Sequence, residues 1–447
     1  MTDFLLLPHL RVLAVHDQGS EYTVEAEGKV LPSACPECRM GRLHGHGTQP
    51  QSYRDTPSHG KAVQITVHRR RFRCQACGKT CFDAIPDLDP KRLATRRLVA
   101  YVRSRCLRET FAALAREVGL DEKTIRHIFD DYIAECEARV HFETPRYLGI
   151  DEIKIIGAYR AMITNVERRT LFDMRESRAK ADLLPYFRRL RGREAVRWVT
   201  MDMYHVYRQV IRTTLPEARI IVDKFHIQRM ANEVLERLRK RVRKTLPQRQ
   251  RLKLKDERFL LLKRQHDLKP SEVDRLFAWF REFPLLAEAH ASKEGFLSIW
   301  DQRTRSDAEK AYDLWTGNLA SELISDFKPL TTAVTNWRDE IFAYFEQPIT
   351  NAYTEAVNGL VKTMNRMGRG YSFEVIRARM LYDEKARKDG TQVVTERKPE
   401  EDDGKPSMGF VTDVRGQPRR EKTVQRVVEY GPYIPTLTKL LEEGYFD

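Results

Sequence analysis

Two pairs of cysteines constrain the fold of this chain more than any other feature of its sequence. Cys35 and Cys38 lie in the stretch CPEC, and Cys74 and Cys77 lie in CQAC. A Cys-x-x-Cys turn directs two thiolates at one centre, and two such turns complete a tetrahedral zinc site. The stretch AVQITVHRRRFRC alternates like a strand, so a β-hairpin can bring the two pairs together. We therefore predict a zinc ribbon with one structural Zn²⁺ over residues 1–85, with free cysteines as the alternative.

Other residues near these pairs carry different predictions. Cys81 is a competing zinc ligand, but it has no partner at Cys-x-x-Cys spacing. The nearby histidines are interpreted as surface residues: His44, His46, His59 and His68. A group of arginines precedes or flanks the second cysteine pair and is suited to contact a DNA phosphate backbone: Arg69, Arg70, Arg71 and Arg73.

The charge of the chain indicates its class of partner. The 447 residues predict two to four domains. Their formal net charge is +15, from 79 basic and 64 acidic residues, which favours nucleic acid over membrane as the acidic partner. The start MTDFLLLPHL lacks the basic segment of a signal peptide, and no apolar run approaches the roughly 20 residues of a membrane helix. We expect a soluble, cytosolic protein whose cysteines are metal ligands or free thiols.

A helix-turn-helix is predicted within residues 86–142. The stretch TFAALAREVGLDEKTIRHIFDDYI places apolar residues at helical spacing, with Gly119 as the turn and Asp121 as the cap of the second helix. The residues expected to face outward from that second helix, where a recognition helix meets a major groove, are Lys123, Arg126 and His127. Two helices joined by a glycine are common, so the pattern gains weight from the ribbon before it.

From Tyr147 onward the pattern changes to a mixed α/β arrangement. The order of apolar segments predicts β-β-β-α-β-α-β, a mixed sheet with helices against it. Asp151 lies within the first of these strands, and Asp202 closes the fourth. Because side chains alternate along a strand, Glu152 is expected on the opposite face from Asp151, so only one of the two joins a site.

A third acid lies on a predicted helix near the end of the chain. In TNAYTEAVNGLVKTMNRM, Glu355 falls at helical spacing with Asn358, Lys362 and Arg366, which is also compatible with a solvated face. Cleavage of a phosphodiester can use two divalent ions, and such hard ions prefer carboxylate ligands. Carboxylates from three separate elements therefore form a candidate site: Asp151, Asp202 and Glu355.

These motifs together resemble the ISL3-type insertion-sequence transposases. The resemblance rests on the two cysteine pairs and on LGIDEI, VTMDMYHVY, IIVDKFHIQRMAN and the Glu355 helix. It implies a zinc ribbon, a helix-turn-helix and an RNase H-like DDE core interrupted by an all-α insertion. It also implies that Asp151, Asp202 and Glu355 are the catalytic acids. Asp223 and His226, in DKFH, are then supporting residues, and Asp223 is the alternative second acid.

The resemblance also assigns the remaining parts of the chain. The predicted divisions are a ribbon (1–85), a helix-turn-helix (86–142), the first part of the core (143–226), an insertion (227–345), the last part of the core (346–388) and a charged linker with a tail (389–447). Basic residues of the insertion are either phosphate contacts or a solvated face. Its tryptophans are expected in the core: Trp279, Trp300, Trp315 and Trp337.

The implied activity is DNA cleavage followed by strand transfer. The implied cofactors are two Mg²⁺ or Mn²⁺ per active site besides the structural zinc. The implied partners are double-stranded transposon ends and target DNA, bound by a homodimer or larger assembly in a bacterial cytoplasm, at the nucleoid. Two alternatives remain: an RNase H-like nuclease that does not join DNA, and a non-catalytic DNA-binding regulator.

Overall fold

The computed structural model describes residues 4–367, 370–387, 391–399 and 421–445. The chain divides into two compact units. The first unit comprises Met1–His141, Met364–Ala386 and Thr438–Asp447, and the second comprises Phe142–Thr363 and Arg387–Leu437. Within the described residues, every helix is too short or too polar to cross a membrane.

The first unit begins with a five-stranded sheet. Its strands are β1 (Leu10–Asp17), β2 (Glu21–Gly28), β3 (Leu43–Ser58), β4 (Lys61–Cys74) and β5 (Thr80–Phe82). They are ordered β1-β2-β4-β3, with β5 paired to β4. Alternate residues of β4 are buried, as expected for a sheet with one covered face: Val63, Ile65 and Val67. Strands β3 and β4 pair antiparallel, which confirms the predicted hairpin between the cysteine pairs.

Three helices follow the sheet: α1 (Arg96–Arg105), α2 (Phe111–Val118) and α3 (Glu122–Arg139). Gly119 ends α2 with a φ of +68°, a left-handed conformation that glycine adopts without steric cost. Asp121 then caps α3, because its carboxylate accepts a hydrogen bond from the Thr124 amide at 2.8 Å. Ile125 and Ile128 are fully buried, so α3 packs by the face that the sequence predicted.

The second unit is built on a mixed sheet. Its elements run β6 (Tyr147–Ile155), β7 (Ala158–Asn165), β8 (Thr170–Arg175), α4 (Lys180–Arg189), β9 (Trp198–Met201), α5 (His205–Thr214) and β10 (Arg219–Val222). This is the predicted order. The strands lie in the order β10-β9-β6-β7-β8, with β6, β7 and β8 antiparallel and β6, β9 and β10 parallel. The arrangement is consistent with an RNase H-like core.

An all-α segment follows β10. Its helices are α6 (Lys224–Lys244), α7 (Gln248–Asp256), α8 (Arg258–Leu262), α9 (Pro270–Glu282), α10 (Pro284–Leu297), α11 (Arg305–Gly317), α12 (Ile324–Asn336) and α13 (Arg338–Phe342). They share one continuous hydrophobic core with the sheet. Trp315 and Trp337 are buried in this core, and Trp279 and Trp300 pack against it, which confirms their predicted role. Arg239, by contrast with a solvated basic residue, is buried and paired with Glu236 at 2.8 Å.

The last described elements are α14 (Ala352–Met367), α15 (Phe373–Tyr382), α16 (Glu384–Arg387), β11 (Thr391–Pro399), β12 (Glu421–Glu429) and α17 (Ile434–Glu442). Strands β11 and β12 pair antiparallel. The prediction of a linker and tail over 389–447 is therefore wrong for its described parts, because β-branched residues at both ends of this segment favour strands. Residues 400–420 lie outside the described residues.

Helix α15 belongs to the first unit and is almost wholly buried there. It contains Arg379, which is fully buried. The Arg379 guanidinium donates to the Glu109 carbonyl at 2.6 Å and lies 4.2 Å from the Tyr371 ring centroid. A buried guanidinium without such partners is costly, so these contacts fix α15 in place.

Candidate active site and metal centres

Helix α14 approaches the central strand β6 closely because Gly149 has no side chain. A Cβ at Gly149 would lie 2.6 Å from Thr354 Oγ1 and 2.9 Å from Asn351 Oδ1, and would also collide with Thr164 Oγ1. Thr354 donates to Asn351 at 2.6 Å, and Thr164 and Thr354 hydrogen bond at 2.7 Å. The Asn351 amide donates to the Ile150 carbonyl at 3.1 Å. This buried polar seam sets the position of α14 on the sheet.

The seam brings acidic residues from separate elements together. Asp151 lies on β6, Asp202 and Asp223 directly follow β9 and β10, and Glu355 lies in the first turn of α14. Asp151, Asp202 and Glu355 all line one cavity of about 600 Å³. Ligand atoms of Asp223, His226 and Glu355 lie within 4.8 Å of one another. The carboxyl ends of β9 and β10 meet at the edge of the sheet beside β6, which explains this convergence.

Hydrogen bonds orient two of these acids. The Asn358 amide donates to Asp151 Oδ2 at 2.7 Å and to the Glu152 carbonyl at 3.3 Å. His226 Nε2 lies 2.8 Å from Asp202 Oδ2. Asn358 is only 7% exposed but lines the cavity, and its amide holds Asp151 in place.

The crowded carboxylates perturb one another. Burial, together with the charge of Asp202, raises the pKa of Asp151 to about 7. Burial also raises the pKa of Asp223. Burial opposes protonation of His226, but its hydrogen bond to Asp202 outweighs this effect and raises the pKa of the imidazole. Perturbed carboxyl groups in a cleft are typical of functional sites.

The donor set fits a hard divalent cation. Asp202 Oδ1 and Asp223 Oδ2 are buried and have no hydrogen-bond partner among the described residues. Buried polar atoms normally have a partner, so these oxygens are available as metal ligands. Carboxylate oxygens from several elements are what Mg²⁺ or Mn²⁺ prefers.

A second candidate metal centre lies in the first unit. Sulfur ligands of Cys35, Cys38, Cys74 and Cys77 lie within 4.8 Å of one another, and Cys81 is outside this group. The Cys38 and Cys74 sulfurs are 3.5 Å apart, and those of Cys35 and Cys77 are 3.8 Å apart. The backbone amide of Cys77 lowers the pKa of the Cys74 thiol to about 7, which favours the thiolate that zinc requires. The four cysteines match a structural zinc site.

Comparison with known proteins identifies the family. A model described as a transposase, for the DDE transposases of family ISL3, matches residues 148–380. The chain belongs to the ISL3 transposase family. A model described as the zinc-finger of transposase IS204/IS1001/IS1096/IS1165 matches residues 31–77, and one described as the helix-turn-helix domain of transposase family ISL3 matches 84–133.

A curated relative agrees with this family. The chain is 21% identical over 371 residues to the transposase for insertion sequence element IS1001 of Bordetella parapertussis. The match covers 81% of this chain and 91% of the relative. The protein is therefore a DNA transposase with a structural zinc ribbon and a DNA-binding helix-turn-helix, and neither the non-joining nuclease nor the regulator is favoured.

The residues predicted to contact DNA differ in their exposure and in their partners within the protein. Lys123, Arg126 and His127 are all exposed on α3, as predicted. Arg69 is instead held by the buried Asp83 at 2.7 Å, and Arg70 donates to the Gly28 carbonyl. These two arginines thus have structural partners, whereas Arg73 is exposed and Arg71 is half-buried. The predicted surface histidines are exposed except for His68, which is half-buried.

One expectation for the acidic site needs correction. Glu152 lines the same cavity as Asp151 and pairs with Arg178, so the expectation that it lies away from the site is wrong. Lys362 lines the cavity, and Arg366 lies in the last turn of α14. Arg178, Arg229 and Tyr204 also line the cavity, although none of them belongs to a pattern that predicts a site residue from the sequence.

Proposed function

We propose that this transposase binds the ends of its insertion sequence, cleaves them and transfers the freed 3′ ends to target DNA, using divalent cations held by Asp151, Asp202 and Glu355. The observation that carries the proposal is the meeting of these acids, from two strands and one helix, in a single cavity of about 600 Å³. Two bound Mg²⁺ or Mn²⁺ ions would activate the attacking oxygen and stabilise the leaving oxygen.

The residues around the acids have separate roles in this proposal. Asn358 holds Asp151 Oδ2 by a hydrogen bond of 2.7 Å, and the Glu152 backbone amide donates to Asp151 Oδ1 at 2.7 Å, so the carboxylate is fixed at both oxygens. His226 holds Asp202 in the same way, through the 2.8 Å contact with its Oδ2. Lys362 lines the cavity from α14 and places a positive charge where a DNA phosphate enters. Arg366 contacts the DNA further along the same helix.

Asp223 is the alternative second acid. Support for Asp202 is its place in the cavity beside Asp151, whose pKa its charge raises. Support for Asp223 is its close grouping with His226 and Glu355. Asp223 Oδ1 accepts a hydrogen bond from the Phe225 backbone amide at 3.2 Å, so Asp223 also caps α6. We assign Asp202 as the ligand and Asp223 as a supporting residue.

In our proposal, two parts of the first unit recognise DNA: α3 and the zinc ribbon. Lys123, Arg126 and His127 read bases of the terminal sequence in a major groove. Arg71 and Arg73 contact phosphates beside the ribbon. Paired cleavage of two ends requires at least a dimer, so a homodimer or larger assembly forms on the ends.

Matched variants test the assignment of the acids. Asp151→Asn, Asp202→Asn and Glu355→Gln should each bind a duplex of the transposon end like the wild type and leave it uncut in Mg²⁺ or Mn²⁺. Binding is measured by gel shift and cleavage with a labelled duplex. Glu288→Gln, an acid on α10 outside the cavity, is the control and should cut normally.

The same assays decide between the two candidates for the second acid. Asp223→Asn should cut slowly but measurably, because its amide oxygen still caps α6 and only the negative charge beside His226 and Glu355 is lost, not a ligand. If Asp223→Asn is inactive while Asp202→Asn still cuts, the second acid is Asp223. A Glu355→Gln protein that cuts at an undiminished rate would refute the metal site altogether.

A further inference from the structure

Arg178 is a cation at the edge of the acidic cavity to which the reaction has not yet given a role. It lies in the short connection between β8 and α4. It lines the same cavity as Asp151, Asp202 and Glu355. Apart from Arg178, the positive groups that line this cavity are His226, Arg229 and Lys362. A DNA strand that enters the cavity therefore needs cations to offset its repulsion from the carboxylates.

Two tyrosine rings hold the Arg178 guanidinium in place. Its central carbon lies 4.1 Å from the ring centroid of Tyr159 and 4.7 Å from that of Tyr204. The Tyr204 ring packs at 4.9 Å against that of Tyr207, whose hydroxyl donates to the Asp151 carbonyl at 3.4 Å. The guanidinium is thus positioned through aromatic contacts that continue to the backbone of the first catalytic acid. A stacked guanidinium loses little further freedom when it binds an anion.

The remaining partner of Arg178 is a replaceable anion. Its guanidinium pairs with the Glu152 carboxylate, and the two side chains are 27% and 32% exposed. Solvent screens a pair that is exposed to this extent, so another anion can displace Glu152 at little cost. A DNA phosphate presents two oxygens in the geometry that the planar guanidinium binds through parallel hydrogen bonds.

We infer that Arg178 is a phosphate-binding residue for the DNA strand at the active site, and that Glu152 occupies it until the strand arrives. The inference rests on the proposed function, because it takes the cavity as the place of cleavage. Tyr159 and Tyr204 keep the guanidinium in position, and Glu152 is displaced by a phosphate close to the cleaved bond. Arg178 positions the substrate by contacting it. Glu152 competes with the DNA phosphate for the Arg178 guanidinium and does not bind a metal ion.

The test scans single phosphates of the transposon end. Full-length protein is mixed with duplexes in which one phosphate at a time, within about three nucleotides of the cleavage site, is replaced by an uncharged methylphosphonate. Binding is measured by gel shift without a divalent cation, so cleavage does not enter the readout. For the wild type, one position should weaken binding about 10–100-fold, the loss expected for a charge-assisted hydrogen bond.

The variants should change that pattern in a specific way. Arg178→Ala should bind the unmodified duplex about 10–100-fold more weakly and lose its sensitivity at that one position only. Arg178→Lys should keep part of the sensitivity, because it retains the charge without the fork of donors. Glu152→Gln should bind the unmodified duplex more tightly, because its neutral amide competes less for the guanidinium.

The matched control is Arg338→Ala. Arg338 also pairs with a carboxylate, Asp313 at 2.8 Å, and lies near two rings, at 5.6 Å from Tyr312 and 5.4 Å from Phe342. It lies outside the cavity, so its variant should show the wild-type pattern of phosphate sensitivity. The role of Arg178 is refuted if Arg178→Ala and wild type lose the same affinity at every modified phosphate.

Glu152 gives a second, independent way to refute the inference. If Glu152→Gln binds end DNA like the wild type but no longer cuts it in Mg²⁺, Glu152 serves the metal site and does not compete for Arg178. The proposed function fails if the Asp151, Asp202 and Glu355 variants still cut end DNA, whereas this inference fails in the cation-free binding scan, so the two failures give different results.

Discussion

Replacing Gly149 by alanine should separate DNA binding from DNA cleavage. The added methyl group would meet Thr354 Oγ1 at 2.6 Å and Asn351 Oδ1 at 2.9 Å. Overpacking of this kind costs about 1–3 kcal/mol. The two buried hydrogen bonds of Thr354, to Asn351 and Thr164, would lengthen, and each contributes about 0.5–1.5 kcal/mol. We expect the second unit to be destabilised by about 2–6 kcal/mol and α14 to move away from β6.

Urea unfolding and a cleavage assay together measure this effect. Glu355 would move with α14, so Gly149→Ala should cut end DNA at least 100-fold more slowly, since a misplacement of about 1 Å can have that effect. Its affinity for end DNA should stay near that of the wild type, because α3, the helix proposed to read DNA bases, lies in the other unit. Gly359→Ala, on the same helix, meets no atom and should stabilise the protein by about 0.5–1 kcal/mol. The reasoning is refuted if Gly149→Ala unfolds at the wild-type urea concentration and cuts at the wild-type rate.

Three further predictions concern other parts of the chain. Alanine at the exposed α3 residues Lys123, Arg126 and His127 should cost about 1–3 kcal/mol per lost base contact on end DNA and much less on random DNA; equal losses on both would show that α3 does not read sequence. Cys38→Ser should lose stoichiometric zinc by elemental analysis, while Cys81→Ser should keep it, since Cys81 lies outside the cluster. Burial and the nearby charge of Lys293 lower the pKa of His290 to about 4. The unfolded chain, in which the pKa of histidine is about 6.5, therefore binds more protons than the folded chain between pH 6.5 and 4. As the pH is lowered through this window, the free energy of unfolding decreases by up to roughly 3 kcal/mol. His290→Phe should flatten this fall in urea unfolding midpoints measured at pH 7 and 5, and an unchanged slope would contradict the shift.

Periodicity and spacing predicted much of the fold. The order of strands and helices from Tyr147 to β10 follows from alternating apolar segments, and the structure confirms it. The zinc ribbon, the turn at Gly119 and the cap at Asp121 follow from residue types that only a few backbone conformations accommodate. Features of this kind are local, so a single sequence is enough to predict them.

Features set by tertiary contacts were not predictable in this way. Strand alternation placed Glu152 away from Asp151, yet its long side chain reaches Arg178 at the rim of the same cavity. The position of the Arg178 guanidinium depends on the rings of Tyr159, on β7, and Tyr204, just before α5, which are far apart in sequence. The high charge of residues 389–447 masked the β-branched residues of β11 and β12. The helical spacing predicted that Asn358 lies on the same side of α14 as Glu355, but it could not predict the hydrogen bond from Asn358 to Asp151.

The composition of the first unit has a consequence for how the protein is made. Its sheet and helix-turn-helix are synthesised first, but the buried helix α15 comes from Met364–Ala386, roughly 220 residues later, and Thr438–Asp447 follows last. At about 5–20 residues per second, a ribosome needs on the order of ten seconds or more to cover that distance. During this interval the nascent chain lacks Arg379 and its bond to the Glu109 carbonyl. A growing polypeptide thus acquires its complete zinc-ribbon and helix-turn-helix unit only after the sheet and α14, with Asp151, Asp202 and Glu355, have been translated.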